Sequence, residues 1–223
     1  MRAALALPEA SAPRPAVIVI HEIFGLNQDI RRIAARFASL GYVALAPDLY
    51  DTGGARVLCV ARTMLALRRR EGAAFDDLEA ARRWLAVRPE VDPSRTGVVG
   101  FCMGGGFALL FAVRTPVQAA SVFYGEVPAR TEELRGVCPV LGGYGGRDRL
   151  FAHQGRRLEE HLTALGVPHD VRIYPDAGHS YMSQRTGVFA TLGAWGPMAV
   201  GFDPVAEGDS WARMGAFFAR HLG

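Results

Sequence analysis

Short apolar runs alternate with helix-period segments along almost the whole chain, and that alternation restricts the fold more than any other feature. AVIVI (Ala16–Ile20), YVALAP (Tyr42–Pro47), TGVVG (Thr96–Gly100), AASVFYG (Ala119–Gly125), CPVLGGYG (Cys138–Gly145) and HDVRIYP (His169–Pro175) read as strands. Between and after them, helical patterns span Asp29–Gly41, Asp76–Val87, Met103–Val113, His153–Gly166 and Asp209–Leu222. In the first helix Ile30, Ile33, Ala34 and Phe37 share one face, and Gly41 ends it. Most of the strands are continuously apolar, so both their faces are buried. The pattern predicts an α/β fold with a mostly parallel central sheet and helices on both faces. Ligands of such sheets sit at the carboxyl ends of the strands. The loops that matter therefore follow Ile20, Leu45, Gly100, Phe123, Leu141 and Tyr174.

With 223 residues, half of them apolar, the chain suits one domain spanning 1–223. Two segments lack a clear period. Asp51–Gly72 carries the basic run Arg68–Arg70 and reads as helical in its second half. Ser180–Gly208 contains Phe189, Trp195 and Phe202 and reads as a loop covering the active site.

Charge and cysteine usage exclude several classes. The net charge of +3 is too small and scattered for a nucleic-acid surface. All 25 basic residues are arginine, which rules out lysine Schiff bases, pyridoxal phosphate anchoring and a P-loop lysine. Met1–Leu7 is too short for a signal h-region, and no apolar stretch reaches the roughly 18 residues of a membrane span. Cys59, Cys102 and Cys138 are an odd set without CxxC spacing. A disulfide framework and a structural zinc site are therefore not expected, and a reduced cytoplasmic setting is.

The chemistry concentrates at Gly100-Phe101-Cys102-Met103-Gly104, which has the G-x-nucleophile-x-G spacing of a nucleophile elbow. The apex residue sits in a strained turn, and flanking glycines let strand and helix pack closely. The helix N-terminus behind it favours a thiolate and aims the Met103 N–H at a substrate oxygen. A Gly-rich turn that binds phosphate or merely packs would look similar. The elbow reading requires an acid and then a histidine after later strands. GGYGGRD delivers Asp148 and PDAGHS delivers His179, in that order. Alone, Asp148 could be a turn or N-cap residue and His179 a loop histidine; together with Cys102 they form a candidate triad. His153, His161, His169 and His221 read as surface or capping residues, and Cys59 and Cys138 as packing. The loop HEIFGLN after the first core strand would supply the second oxyanion N–H, from Ile23, with Glu22 beside it.

These residues resemble the dienelactone hydrolase family of α/β-hydrolases. The resemblance is carried by VIVIHEIFGLN, GYVALAPDLY, VGFCMGGGFAL, YGGRD and YPDAGHSY, from about Ala16 to His179. It implies Cys102 as nucleophile, Asp148 as acid and His179 as base. It further implies that Glu22 contacts the resting thiol, and that Ile23 and Met103 supply the oxyanion donors. The implied reaction is hydrolysis of an enol-lactone such as 4-carboxymethylenebut-2-en-4-olide through an acyl-thioester, with no cofactor. The expected partner is a small lactone or ester, carboxylated where an arginine can clamp it. No nucleic acid or membrane is expected, and the family favours a monomer.

The sequence departs from the family pattern where the substrate carboxylate would be held. Arg185 in HSYMSQRTG comes two residues later than the pattern, and Arg62 lies in a segment without tyrosine or tryptophan. Both are candidate substrate-binding residues. The competing reading is a non-catalytic small-ligand-binding protein on the same scaffold. A thiol-redox role lacks a resolving cysteine nearby.

Overall fold

A computed structural model of the chain describes residues 1–9, 12–51, 55–184 and 193–223. Seven strands form one sheet: β1 (Ala3–Ala6), β2 (Arg14–Ile20), β3 (Val43–Pro47), β4 (Val91–Phe101), β5 (Ala119–Phe123), β6 (Val140–Gly145) and β7 (His169–Tyr174). Their spatial order is β1-β3-β2-β4-β5-β6-β7, and every pair is parallel except β1 with β3. Among the described residues the α-helices include α1 (Gln28–Ser39), α2 (Arg56–Arg69), α3 (Ala73–Ala86), α4 (Met103–Arg114), α5 (Ala152–Ala164) and α6 (Pro204–Leu222). The mostly parallel sheet with flanking helices is the α/β arrangement that the alternation predicts, and it agrees with the α/β-hydrolase fold that the family resemblance implies. Among the described residues no helix is long and apolar enough to cross a membrane.

Side-chain direction along β4 separates the two layers. A Cβ on Gly97 would point at Phe218 and Leu222 of α6, whereas one on Gly100 would point into α4. Positions three apart on a strand face opposite sides. On the α6 side, Phe37 of α1 packs edge-on against Trp211 at 5.1 Å and lies 5.8 Å from Phe218. On the other side, Phe75 of α3 meets Phe107 of α4 at 4.9 Å. Between these layers Ala16–Ile20, Val98, Val99, Ala119, Ala120, Val122 and Phe123 are fully buried. The continuous apolar runs are explained by this burial on both faces.

Several boundaries differ from the sequence reading, three of them near the functional end or the sheet edge. β1 was not anticipated: four Ala and Leu residues carry little strand propensity, and only their pairing to β3, Ala3↔Pro47 to Ala6↔Ala44, makes them a strand. α6 begins at Pro204 rather than Asp209, because the Asp203 side chain accepts from the Val205 and Ala206 amides and proline takes the first turn. Ser180–Gly208 is therefore not one covering loop. Its start, Ser180–Ser183, is a buried turn; its end is helix; and 185–192 lie outside the described residues.

Register places the functional loops side by side. Ile20↔Gly100 brings the end of β2 level with the end of β4, and Phe101↔Phe123 does the same for β5. The loops beginning at His21, Cys102 and Tyr124 thus leave adjacent strands at one height.

Candidate active site

Cys102 stands between β4 and α4 with φ 54° and ψ −119°, outside the ordinary regions for an L-residue. The turn is over-determined. The Cys102 amide donates to the Phe123 carbonyl at 3.0 Å, and its own carbonyl accepts from Gly105 at 2.9 Å. The glycines are required by close approach. A Cβ on Gly100 would lie 1.9 Å from the Gly104 oxygen, and one on Gly104 would lie 2.4 Å from the Ile20 oxygen. Both obstacles are backbone. Gly104→Ala is therefore expected to cost more than the roughly 1–3 kcal/mol usual for overpacking, read as a lowered denaturant midpoint. Gly208→Ala in α6, where an added Cβ meets nothing within 4 Å, is expected instead to stabilise by about 1 kcal/mol.

Asp148 follows β6 and is fully buried. Its Oδ1 accepts the Leu150 and Phe151 amides, both at 3.1 Å, while Oδ2 accepts His179 Nδ1 at 2.6 Å. The turn bonds and the bond to the histidine coexist, one kind on each carboxylate oxygen. His179 is 3% exposed, with its ring between Tyr124 at 4.9 Å and Phe151 at 5.0 Å. Its backbone is held by Met198, whose carbonyl accepts the His179 amide at 2.8 Å, and by the Gly201 amide, which donates to the His179 carbonyl at 3.1 Å.

Burial by itself depresses the His179 pKa. Asp148 and the sulfur of Cys102 outweigh it and hold the imidazole up to about 10, from an ordinary 6.5. A folded-state pKa above the unfolded one stabilises the fold fully below pH 6.5, and that contribution drains away as pH rises to about 10. The stability difference between wild type and His179→Gln is expected to be large near pH 6 and to shrink by about pH 10.5 in denaturant titrations. A difference independent of pH would mean that folding does not raise the His179 pKa.

Glu22 is 2% exposed at the end of β2. Met103 is buried at the first position of α4, and Ile23 is partly exposed in the loop opposite. Tyr50 joins these two: its hydroxyl donates to the Ile23 carbonyl at 3.0 Å and lies 3.6 Å from the Met103 sulfur. Arg56, at the start of α2, donates to the Phe24 carbonyl.

Sequence reasoning missed Tyr124. It is fully buried with φ 43°, fixed by its amide bond to the Gly143 carbonyl at 2.8 Å. Its hydroxyl pKa is pushed well above 10, first by burial and then by Glu22, Tyr181 and Cys102, so it stays a protonated donor beside them. Nothing in FYG announces a left-handed tyrosine. Tyr50 and Arg56 were missed for a different reason, since their contacts are with a loop far off in sequence.

The structure thus groups Cys102, Asp148, His179, Glu22, Ile23 and Met103 at one end of the sheet. Arg62 is not brought to them. It is exposed on α2 and lines a cleft of about 340 Å³ with Cys59, Thr63 and Asp77. Arg56 is the α2 arginine that touches the loop after β2. Arg185 lies outside the described residues. Of the other thiols, Cys59 is buried, and burial pushes the Cys138 thiol up to about 12. His161 is buried rather than superficial, bonded to Thr131 at 2.8 Å and to the Pro128 carbonyl at 3.1 Å.

Residues 1–222 match the model of the dienelactone hydrolase family. Two proteins named "Putative carboxymethylenebutenolidase" are each 31% identical. The one from Methylorubrum extorquens matches over 79% of this chain and 66% of its own length. The one from Salmonella typhimurium matches over 100% of this chain and 84% of its own. Among solved structures, a dienelactone hydrolase-like promiscuous phosphotriesterase from metagenomic libraries superposes with a TM-score of 0.84. It is 28% identical, over 99% of this chain and 92% of that one.

Proposed function

Since the chain belongs to the dienelactone hydrolase family, we propose that it is a hydrolase opening lactones or activated esters through a Cys102 thioester. The reading rests on one arrangement: a strained cysteine at the N-terminus of α4, beside a histidine bonded at 2.6 Å to a buried aspartate.

The Cys102 thiolate attacks the carbonyl carbon, forming the C–S bond and an oxyanion that takes the Ile23 and Met103 N–H groups. As the oxyanion collapses, the C–O bond to the leaving group breaks. The leaving oxygen takes its proton from the His179 imidazolium, which leaves a neutral imidazole. Water then attacks the thioester, His179 accepts its proton, and the C–S bond breaks to release the acid and regenerate the thiolate–imidazolium pair. Asp148 keeps Nε2 of the ring as the working nitrogen. By the family resemblance Glu22, buried at the end of β2, contacts the resting thiol before the thiolate–imidazolium pair forms. Arg56 at the oxyanion loop and Arg185 are the candidates for holding a substrate carboxylate.

Acid quenching during turnover of 4-nitrophenyl acetate is expected to trap one acetyl group, located on the peptide containing Cys102 by mass spectrometry. Acetylation elsewhere, or none with continued turnover, would reject the thioester. A panel of carboxylated lactones, neutral esters and an aryl phosphotriester defines the substrate class. The last is included because the metagenomic relative is described as a phosphotriesterase. Saturable binding without turnover across that panel would favour a receptor.

A further inference from the structure

We propose that His21 is a positioning residue of the oxyanion hole: its neutral imidazole locks the Glu22–Ile23 peptide with the Ile23 amide facing the carbonyl under attack. The inference rests on Cys102 acting as the nucleophile.

His21 is completely buried where β2 ends. Its Nε2 lies 3.1 Å from the Leu49 amide nitrogen. A backbone N–H can only donate, so Nε2 must carry the lone pair and the proton sits on Nδ1. Nδ1 is 2.7 Å from the Glu22 carbonyl oxygen and therefore donates to it. The Gly25 amide adds a second bond to the same oxygen at 3.0 Å. The Glu22–Ile23 peptide is trans and planar, so its C=O and N–H point in opposite directions. Clamping the Glu22 oxygen on one side thus aims the Ile23 N–H at the other. No hydrogen bond from that amide is found among the described residues, which leaves it for an incoming oxygen.

The next carbonyls are held as well. Tyr50 donates to the Ile23 oxygen, and its ring lies 4.8 Å from the imidazole; Arg56 donates to the Phe24 oxygen. Burial keeps the His21 pKa below its ordinary value, against the opposing pull of its bond to Glu22 and of Asp48, whose carboxylate is 3.9 Å from Nε2. The ring stays neutral, as the Leu49 bond requires.

The two ring nitrogens can be tested separately. In His21→Asn the side-chain amide can take the place of Nδ1 and keep a donor to Glu22, while Leu49 loses its acceptor. In His21→Gln it reaches the place of Nε2 and keeps the Leu49 bond, while the Glu22 oxygen loses the imidazole donor and keeps the Gly25 amide. With 4-nitrophenyl acetate, His21→Gln is expected to lose at least about tenfold in kcat with KM little changed, and His21→Asn to lose less despite a lower Tm. Alkylation of Cys102 by iodoacetamide builds no oxyanion, so its rate is expected to be unchanged in both.

Activity that follows Tm in the two variants would overturn the proposal, as would full activity of His21→Gln. Alkylation falling in step with kcat would place the effect on the thiol instead and equally overturn it. If either variant does not fold, Tyr50→Phe decides. It keeps the ring against His21 but frees the Ile23 carbonyl, and kcat should fall while alkylation does not; an unchanged kcat overturns the proposal. If Cys102→Ala remained active, the thioester reading itself would fail, whatever the His21 variants do.

Discussion

Cys102→Ala is expected to lower kcat/KM for an activated ester by at least about 10⁴-fold, the scale on which triad nucleophiles act. The fold should survive, for physical reasons. Alanine, like cysteine, is an L-residue that the turn can hold at φ 54°, and the backbone bonds from Cys102 to Phe123 and Gly105 involve no side-chain atom. Thermal unfolding should therefore move by only a few degrees, in either direction. Steady-state hydrolysis on the purified variant, with wild type run in parallel, is the measurement. Retained activity would remove Cys102 from the chemistry and return the Gly-rich turn to a packing role.

Asp148→Asn is expected to cost nearly as much, about 10⁴-fold in kcat, by a different route. The asparagine oxygen can still accept the Leu150 and Phe151 amides, so the turn into α5 is kept. Its NH₂ group then faces His179 Nδ1, where the carboxylate oxygen had accepted at 2.6 Å. Two donors cannot share that bond, so Nδ1 must become the acceptor and the proton moves to Nε2. The ring can then no longer take a proton from water or thiol on the side facing the substrate. Asp148→Ala serves as the contrast, since it also removes both side-chain bonds of the turn and adds about 1–3 kcal/mol of instability. If Asp148→Asn lost only what its change in Tm explains, Asp148 would be a turn residue and nothing more.

The candidate triad was legible because each proposed member sits where a local pattern meets a topological rule. Cys102 lies in a glycine spacing that close backbone approach imposes, and Asp148 and His179 follow apolar strands whose burial a parallel sheet requires. Tyr124, Tyr50, Arg56 and His21 had no such pattern. A left-handed tyrosine before Gly125 is enforced by neighbours on β6 and α4. The grip on the loop after β2 is closed by residues about thirty positions downstream. The start of α6 was readable, because Asp203-Pro204 is an N-cap followed by proline, but the aromatic-rich stretch before it hid the boundary.

By itself the sequence determined the kind of sheet, and it singled out the strand ends to inspect, the candidate nucleophile turn, and a candidate acid and histidine in chain order. All of these follow from the period of apolar residues and from glycines at a fixed spacing, which are local in the chain. Tertiary structure decided which α2 arginine touches the loop after β2, which tautomer His21 and His179 hold, and which amide has no partner among the described residues. Those outcomes depend on distances between β2, β4, β5 and the loops beyond β3 and β6. A hydrogen bond is made or lost within a few tenths of an ångström, a scale on which only the assembled register of the sheet places one loop against another.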